Sequence, residues 1–305
     1  MTDLRAFPVT EILVAVDFSP TSDRVLPWAF RLARTHGARL HLVHAVTPVP
    51  VLPEQFELPG DLPEQLRTAA EQRLAQLVSA ADSEGVEATW GAEYGQPSEV
   101  IASTAQQRGA DLVVLGTRGL SGLEHLLLGS TAERVLRLVE CPVFNIHPED
   151  PVTTEPVRQI LVPTDFSAGA NQAIEAALEI FHLNAEATRL VLLNVHHVPG
   201  GYGIYGPGGA LAVQTYNDSA EDLLNAELER IARPLRARGT TVDFCVRSGY
   251  PSEVIVQEAK KEGVDLIAMG THGRSGLGRL VLGSTTERVV QHAGCPVLTV
   301  RRREE

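Results

Sequence analysis

The chain has 305 residues, 44% of them hydrophobic and 21% charged, the balance of an ordinary globular protein long enough for two domains. Its formal net charge of −12 divides into −9 over residues 1–150 and −3 over 151–305. That acidity argues against nonspecific nucleic-acid binding, which needs a basic footprint. No apolar run approaches the ~20 residues of a membrane span, and Asp3, Arg5, Glu11 and Asp17 interrupt any leader-like core, so the cytoplasm is the expected compartment.

Taken in chain order, short and continuous apolar runs fall at 12–16, 40–46, 112–115 and 142–146, and again at 160–163, 190–195, 265–269 and 296–300. Continuous rather than alternating hydrophobicity predicts strands buried on both faces, as in a parallel sheet covered by helices. Helical spacing lies between them. Leu62, Leu66, Ala69, Ala70, Leu74, Leu77 and Ala81 form one apolar stripe, and Leu224, Leu228, Ile231 and Leu235 its counterpart. Gly37, Gly85, Gly109, Gly239 and Gly263 each close a helical stretch just before a strand, where a left-handed residue is wanted. The prediction is an α/β fold of two domains, 1–150 and 151–305, each an open three-layer α/β/α sandwich, with a linker from Pro148 to Pro156.

The two halves repeat one another. Ile12–Ser19 matches Ile160–Ser167 around Asp17-Phe-Ser and Asp165-Phe-Ser, and Gly95–Ile101 matches Gly249–Ile255. Most informative is Gly116-Thr-Arg-Gly119-x9-Gly129-Ser130, repeated 154 residues later as Gly270-Thr-His-Gly273-x9-Gly283-Ser284. Over 116–135 and 270–289, 14 of 20 positions are identical. A glycine turn that ends at a helix N-terminus aims backbone N–H groups and the positive end of a helix dipole at one spot, which holds phosphate without lysine. The only lysines are Lys260 and Lys261, so a Gly-Lys-Ser/Thr P-loop is excluded. Ser130 and Ser284 stand three residues before Glu133 and Glu287, the spacing of a capping box, a role compatible with ligand contact. Asp17 and Asp165 stand at strand ends, where a turn former and a ligand contact are both open, with Pro20 at a first-turn position of the helix that follows.

These residues together resemble the universal stress protein family, and the likeness covers both halves nearly end to end. The resemblance implies a five-stranded parallel sheet per domain in order 3-2-1-4-5, of nucleotide-binding type, and a bound adenine nucleotide in each half, ATP with Mg²⁺ held through its phosphates. By position, Asp17, Thr164 and Asp165 would meet the nucleoside, and Ala45 and Val195 would lie against adenine. Leu115 and Met269 would precede the phosphate turn. Gly116, Gly119, Gly129, Ser130 and Thr131 would cradle phosphates in the first half, and Gly270, Gly273, Gly283, Ser284 and Thr285 in the second. The family also pairs domains through the fifth strand, which here implies pairing within one chain and leaves a further homodimer open.

The function this implies is an ATP-binding stress-response protein acting by nucleotide-dependent conformation or interaction, with no catalytic residue assigned. A slow Mg²⁺-dependent ATPase and a nucleotide-free partner-binding module remain as alternatives. The loops Pro48–Pro63 and Pro199–Gly209 leave the sheet on its ligand side and suit lids, and the second half is expected to bind more tightly. Arg118, Arg274 and Arg279 lie within the phosphate segments, either screening charge or solvated. Gly201-Tyr-Gly203-Ile-Tyr-Gly206 fits a dinucleotide fingerprint, but Pro207, Gly208 and Gly209 predict that no helix opens after it. His196-His197 lacks a second ligand pair for a metal and reads as strand-end histidine. Cys141 and Cys295 read as buried, inert thiols ahead of strands, and Cys245 stands alone.

Overall fold

A computed structural model of the chain describes residues 7–47, 61–118, 128–151, 156–181, 188–196, 207–272 and 282–301, with 207–219 described by backbone alone. The chain forms two compact units, one holding described residues 7–151 and the other 156–272 and 283–301.

In the first unit β1 (Glu11–Ala15), α1 (Ser22–His36), β2 (Arg39–Val46), α2 (Leu62–Ser83), β3 (Ala88–Tyr94), α3 (Pro97–Arg108), β4 (Leu112–Gly116), α4 (Ser130–Leu138) and β5 (Val143–Ile146) alternate without exception. The strands are parallel in order β3-β2-β1-β4-β5, with Ile12 opposite both Leu40 and Leu112. In the second unit β6 (Gln159–Pro163), α5 (Ala168–Ile180), β7 (Arg189–His196), α6 (Pro207–Ala237), β8 (Thr241–Ser248), α7 (Pro251–Glu262), β9 (Leu266–Gly270), α8 (Ser284–His292) and β10 (Val297–Val300) repeat the scheme as β8-β7-β6-β9-β10. Each parallel connection runs through a helix, as parallel strands require. The central strands therefore carry the core, and Ile12, Leu13, Val14, Leu112, Ile160, Leu161 and Leu266 are fully buried.

In each unit the chain leaves β1 or β6 toward one edge and β4 or β9 toward the other. The strand ends part there and open a crevice at the carboxyl side of the sheet, where open α/β sheets bind ligands. At the opposite end, Asp111 accepts the Thr10 and Glu11 N–H groups at 2.8 and 3.1 Å, and Asp265 accepts those of Arg158 and Gln159 at 2.6 and 2.8 Å. These twin carboxylates pin the start of β1 and of β6. The five helix-closing glycines all have positive φ, between 61° and 89°.

The units fill their cores differently. Trp28 on α1, 1% exposed, meets Phe144 on β5 edge-on at 5.2 Å. Position 176, its counterpart on α5, is a fully buried alanine among Ala170, Ala173 and Ala177. The Trp28 indole N–H is buried without a hydrogen-bond partner among the described residues. Trp28→Phe should therefore shift unfolding free energy by about 1 kcal/mol or less, lost volume being offset by removal of an unsatisfied donor. Urea unfolding of the two proteins side by side checks this.

Two sequence expectations need correction here. A helix does open after the Gly201–Gly206 segment, because α6 begins at Pro207. Proline suits a first helical position, and the glycine pair is carried by a 31-residue helix whose later turns bury Leu228, Ala232 and Leu235. Pro20 lies in the turn ahead of α1, which starts only at Ser22. Residues 48–60, Gly119, 152–155, His197, 199–206, Gly273, Arg274 and Arg279 lie outside the described residues, so both expected lids fall there for most of their length.

Candidate functional site

In the first unit the crevice is a cleft of about 730 Å³ at the carboxyl ends of β1, β2 and β4, a size that suits a small-molecule ligand. One of its walls is built by the glycine turn. Gly129 is the N-cap of α4, with φ −60° and ψ 137°, and its N–H donates to the Thr117 carbonyl at 2.9 Å. A side chain there would place a Cβ 2.8 Å from that carbonyl oxygen, so the close approach requires glycine. Gly116 faces α1, where a Cβ would stand 2.6 Å from Thr21 Cγ2.

This geometry displaces the predicted capping box. With Gly129 as N-cap, Ser130 is the first helical residue and no side chain caps the helix. Glu133 pairs forward with Arg137 at 2.5 Å instead of reaching back. The backbone N–H groups of Ser130, Thr131 and Ala132 take no hydrogen bond among the described residues, and all three residues line the cleft. Free helix N-terminal donors beside a cavity form an anion site. In the second unit Gly283 likewise caps α8, Ser284 comes next, and the Gly283 N–H donates to Thr271 at 2.9 Å. A Cβ on Gly283 would lie 2.9 Å from that oxygen.

Asp17 stands at the mouth after β1. Its Oδ1 accepts the Ser19 N–H at 3.0 Å and the Ser22 hydroxyl at 2.7 Å, closing a tight turn that holds Phe18 at φ 60°. Asp165 repeats the bond to Ser167 N–H at 3.0 Å, with Phe166 at φ 66°. Turn former and cleft residue are thus one and the same position. Thr164 is buried and accepts the Phe166 N–H on its hydroxyl at 3.0 Å.

Of the residues singled out from the sequence, Asp17, Ala45, Leu115, Gly116, Gly129, Ser130 and Thr131 come together around the first cleft. Thr164, Asp165, Val195, Met269, Gly270, Gly283, Ser284 and Thr285 occupy the matching strand ends and helix start of the second unit. Gly119 and Gly273 are not described.

Several cleft residues escaped the sequence reading. Phe18 stacks on His44 with ring centroids 4.5 Å apart, and the Arg73 guanidinium sits 4.5 Å from the centroid of the Phe18 ring. Arg73 comes from α2, whose N-terminal half the stripe had assigned to the core. Leu66 is instead 44% exposed and, with Ala69, faces the cleft. The period of 3.6 identifies an apolar face but not whether protein or ligand covers it. Arg118 is neither solvated nor free. It lines the cleft and pairs with Glu149 at 2.8 Å. Thr117, whose hydroxyl is buried and unpartnered among the described residues, was hidden inside the quoted motif.

Elsewhere the histidines and cysteines behave as structure. The His196 ring nitrogen Nε2 meets the Ser248 hydroxyl at 3.0 Å, and no cluster of three metal-ligating side chains occurs among the described residues. Cys141 and Cys295 are buried just ahead of β5 and β10, while burial pushes the Cys245 thiol pKa up, with Arg247 opposing. No helix among the described residues is long and apolar enough to cross a membrane.

The sequence model of the universal stress protein family matches residues 8–147 and, separately, 156–301. The chain belongs to the universal stress protein family. It is a tandem member, and other tandem universal stress proteins are similar along its whole length. One from Mycolicibacterium smegmatis is 31% identical over 300 residues, covering 96% of this chain and 97% of that protein. Rv2623 of Mycobacterium tuberculosis is 28% identical over 302 residues, 95% and 96% of the two chains. Among solved structures, a universal stress protein from Archaeoglobus fulgidus shares the fold with a TM-score of 0.74 over 99% of both chains, at 22% identity.

Proposed function

We propose that this universal stress protein binds an adenine nucleotide in each half, phosphates against the glycine turn, and acts in stress response through nucleotide-dependent conformation or interaction. One observation carries the reading. At the 730 Å³ cleft, a helix start with three N–H groups unpartnered among the described residues is held open by a glycine that no other residue can replace without striking the Thr117 carbonyl. The Thr117 hydroxyl beside it, buried and unpartnered among the described residues, adds a group that a bound ligand would satisfy. Asp17 at the mouth offers a carboxylate for a ribose hydroxyl, and the apolar Ala45 and Leu115 offer a wall for a base. Magnesium would be held through the phosphates, which supply the oxygen ligands it prefers.

Binding rather than turnover fits the side chains. Asp17 is the one carboxylate among the described cleft residues, and its Oδ1 is already engaged by Ser19 and Ser22. That holds Asp17 as a turn former rather than as a poised general base.

Native purification without added ligand, then denaturation and chromatography of what is released, tests the reading. Up to two adenine nucleotides per chain are expected. A chain that releases none and retains none on dialysis against millimolar ATP would overturn it. Saturating nucleotide at 100-fold over Kd should also raise unfolding free energy by about 2.7 kcal/mol per site.

A further inference from the structure

The two glycine turns share one backbone bond and differ in how they are otherwise fastened. In each, the glycine that caps the helix donates its N–H to a threonine carbonyl at 2.9 Å, Gly129 to Thr117 and Gly283 to Thr271. The second half adds a bond. Thr286, the third residue of α8 and 3% exposed, donates its hydroxyl to the Gly270 carbonyl at 2.9 Å. Gly270 closes β9, so this one side chain ties the start of the helix to the end of the strand. The counterpart 154 residues earlier is Ala132, as deeply buried, with no hydroxyl to give.

The other side of the second turn is also held by backbone. A Cβ on Gly270 would stand 3.0 Å from the Gly169 carbonyl carbon, and one on Gly169 would stand 3.2 Å from the His272 carbonyl oxygen. Gly169 lies in the first turn of α5, so helix and glycine turn meet backbone to backbone. In the first half a side chain, Thr21, fills the matching place against Gly116. The polar groups this fastening leaves over are those a ligand would take. The N–H groups of Ser284, Thr285 and Thr286 take no hydrogen bond among the described residues. His272 Nε2 is buried beside them, also without a partner among the described residues. The Thr286 hydroxyl uses none of these donors, because it turns inward to the strand.

We propose that Thr286 is a positioning residue for the phosphate end of the second site. Its hydroxyl holds the first turn of α8 against β9, so that the helix N–H groups stand in place before a ligand arrives. The first half lacks this tie, and there the ligand itself must order the start of α4. Donors already in place lose little freedom on binding, which leaves more of the contact energy as affinity. A β-branched side chain suits the task, having few rotamers to give up when its hydroxyl is fixed. The inference rests on the nucleotide reading above.

The test is isothermal titration of the full chain with ATP and with adenosine, the first half silenced by Gly129→Ala so that the second is read alone. Thr286→Val keeps the shape and removes the hydroxyl. It should weaken ATP about fivefold, the worth of one ordinary hydrogen bond, and leave adenosine unchanged, which has no phosphate to place. Thr286→Ser should restore ATP affinity. At the other site, Ala132→Thr with the second half silenced by Gly283→Ala should tighten ATP by a similar factor, and this gain decides the matter should Thr286→Val not fold. ATP affinity unmoved by these changes, ATP and adenosine weakened alike, or Thr286→Ser as weak as Thr286→Val overturns the inference and leaves nucleotide binding standing. No nucleotide at either half of the unsubstituted chain overturns both.

Discussion

Gly129→Ala is expected to lower nucleotide affinity at the first half roughly tenfold or more, and Gly283→Ala to do the same at the second. The added carbon would stand 2.8 Å from the Thr117 carbonyl oxygen, or 2.9 Å from that of Thr271, and both neighbours are backbone. A side-chain neighbour can turn aside, but a carbonyl tied to the Gly129 N–H at 2.9 Å can move only with its turn. The turn must open, and the N–H groups of Ser130, Thr131 and Ala132 move with it. Overpacking of this kind destabilises by about 1–3 kcal/mol, so the half should stay folded while its anion site is lost. Gly294→Ala is the control, since a carbon there meets nothing within 4 Å. Equilibrium dialysis with labelled ATP, alongside denaturant unfolding, separates the two effects. Undiminished binding in both glycine variants would show that the turns do not hold the ligand.

The second large effect lies far from the cleft. His41 on β2 is 6% exposed, its Nδ1 is 2.8 Å from the Thr89 hydroxyl, and Arg108 reaches the same hydroxyl at 3.0 Å. Burial, helped by the nearby Arg108 charge, pulls the His41 pKa from 6.5 to about 4. Between these values the unfolded chain takes up a proton that the folded chain refuses. The neutral ring's contribution is therefore complete above pH 6.5 and is lost progressively as pH falls toward 4. A shift of this size corresponds to about 3 kcal/mol. His41→Gln, which keeps a hydrogen-bonding group without the titration, should flatten the decline in stability between pH 6.5 and 4 relative to the unsubstituted chain. Parallel unfolding curves across that range for both proteins would show that His41 protonates as readily in the folded state.

Much of this architecture was legible because burial on both faces leaves a continuous apolar run. β1, β2, β4, β5 and their counterparts β6, β7, β9 and β10 announce themselves this way. β3 does not, because it is the last strand of its sheet in the first unit. Its sequence Ala-Thr-Trp-Gly-Ala-Glu-Tyr leaves Trp90 38% and Tyr94 45% exposed, so no apolar run forms. β8, with the same place in the second unit, is likewise mixed. Only the family resemblance supplied a fifth strand.

At the cleft the glycines were readable from spacing, since repetition at a fixed offset shows where backbone approaches backbone. The capping box misled because Ser-x-x-Glu fits two helix starts one residue apart. The glycine before the serine takes the cap and frees the hydroxyl. Arg73 was unreadable for a different reason. It touches Phe18 across some 55 residues of chain, and no local pattern encodes such a contact.

Phe18 and Phe166 hold a left-handed backbone that an L-residue with a bulky side chain resists by about 1–2 kcal/mol. Against a net folding stability of only about 5–15 kcal/mol, that is a noticeable concession, and the chain makes it twice. Glycine at either position would relax the backbone, and at Phe18 it would erase the aromatic ring that lines the cleft. At Phe18 the relief would be set against loss of the stacking on His44 and of the Arg73 contact, so the strained backbone is the cost of keeping a ring at that place.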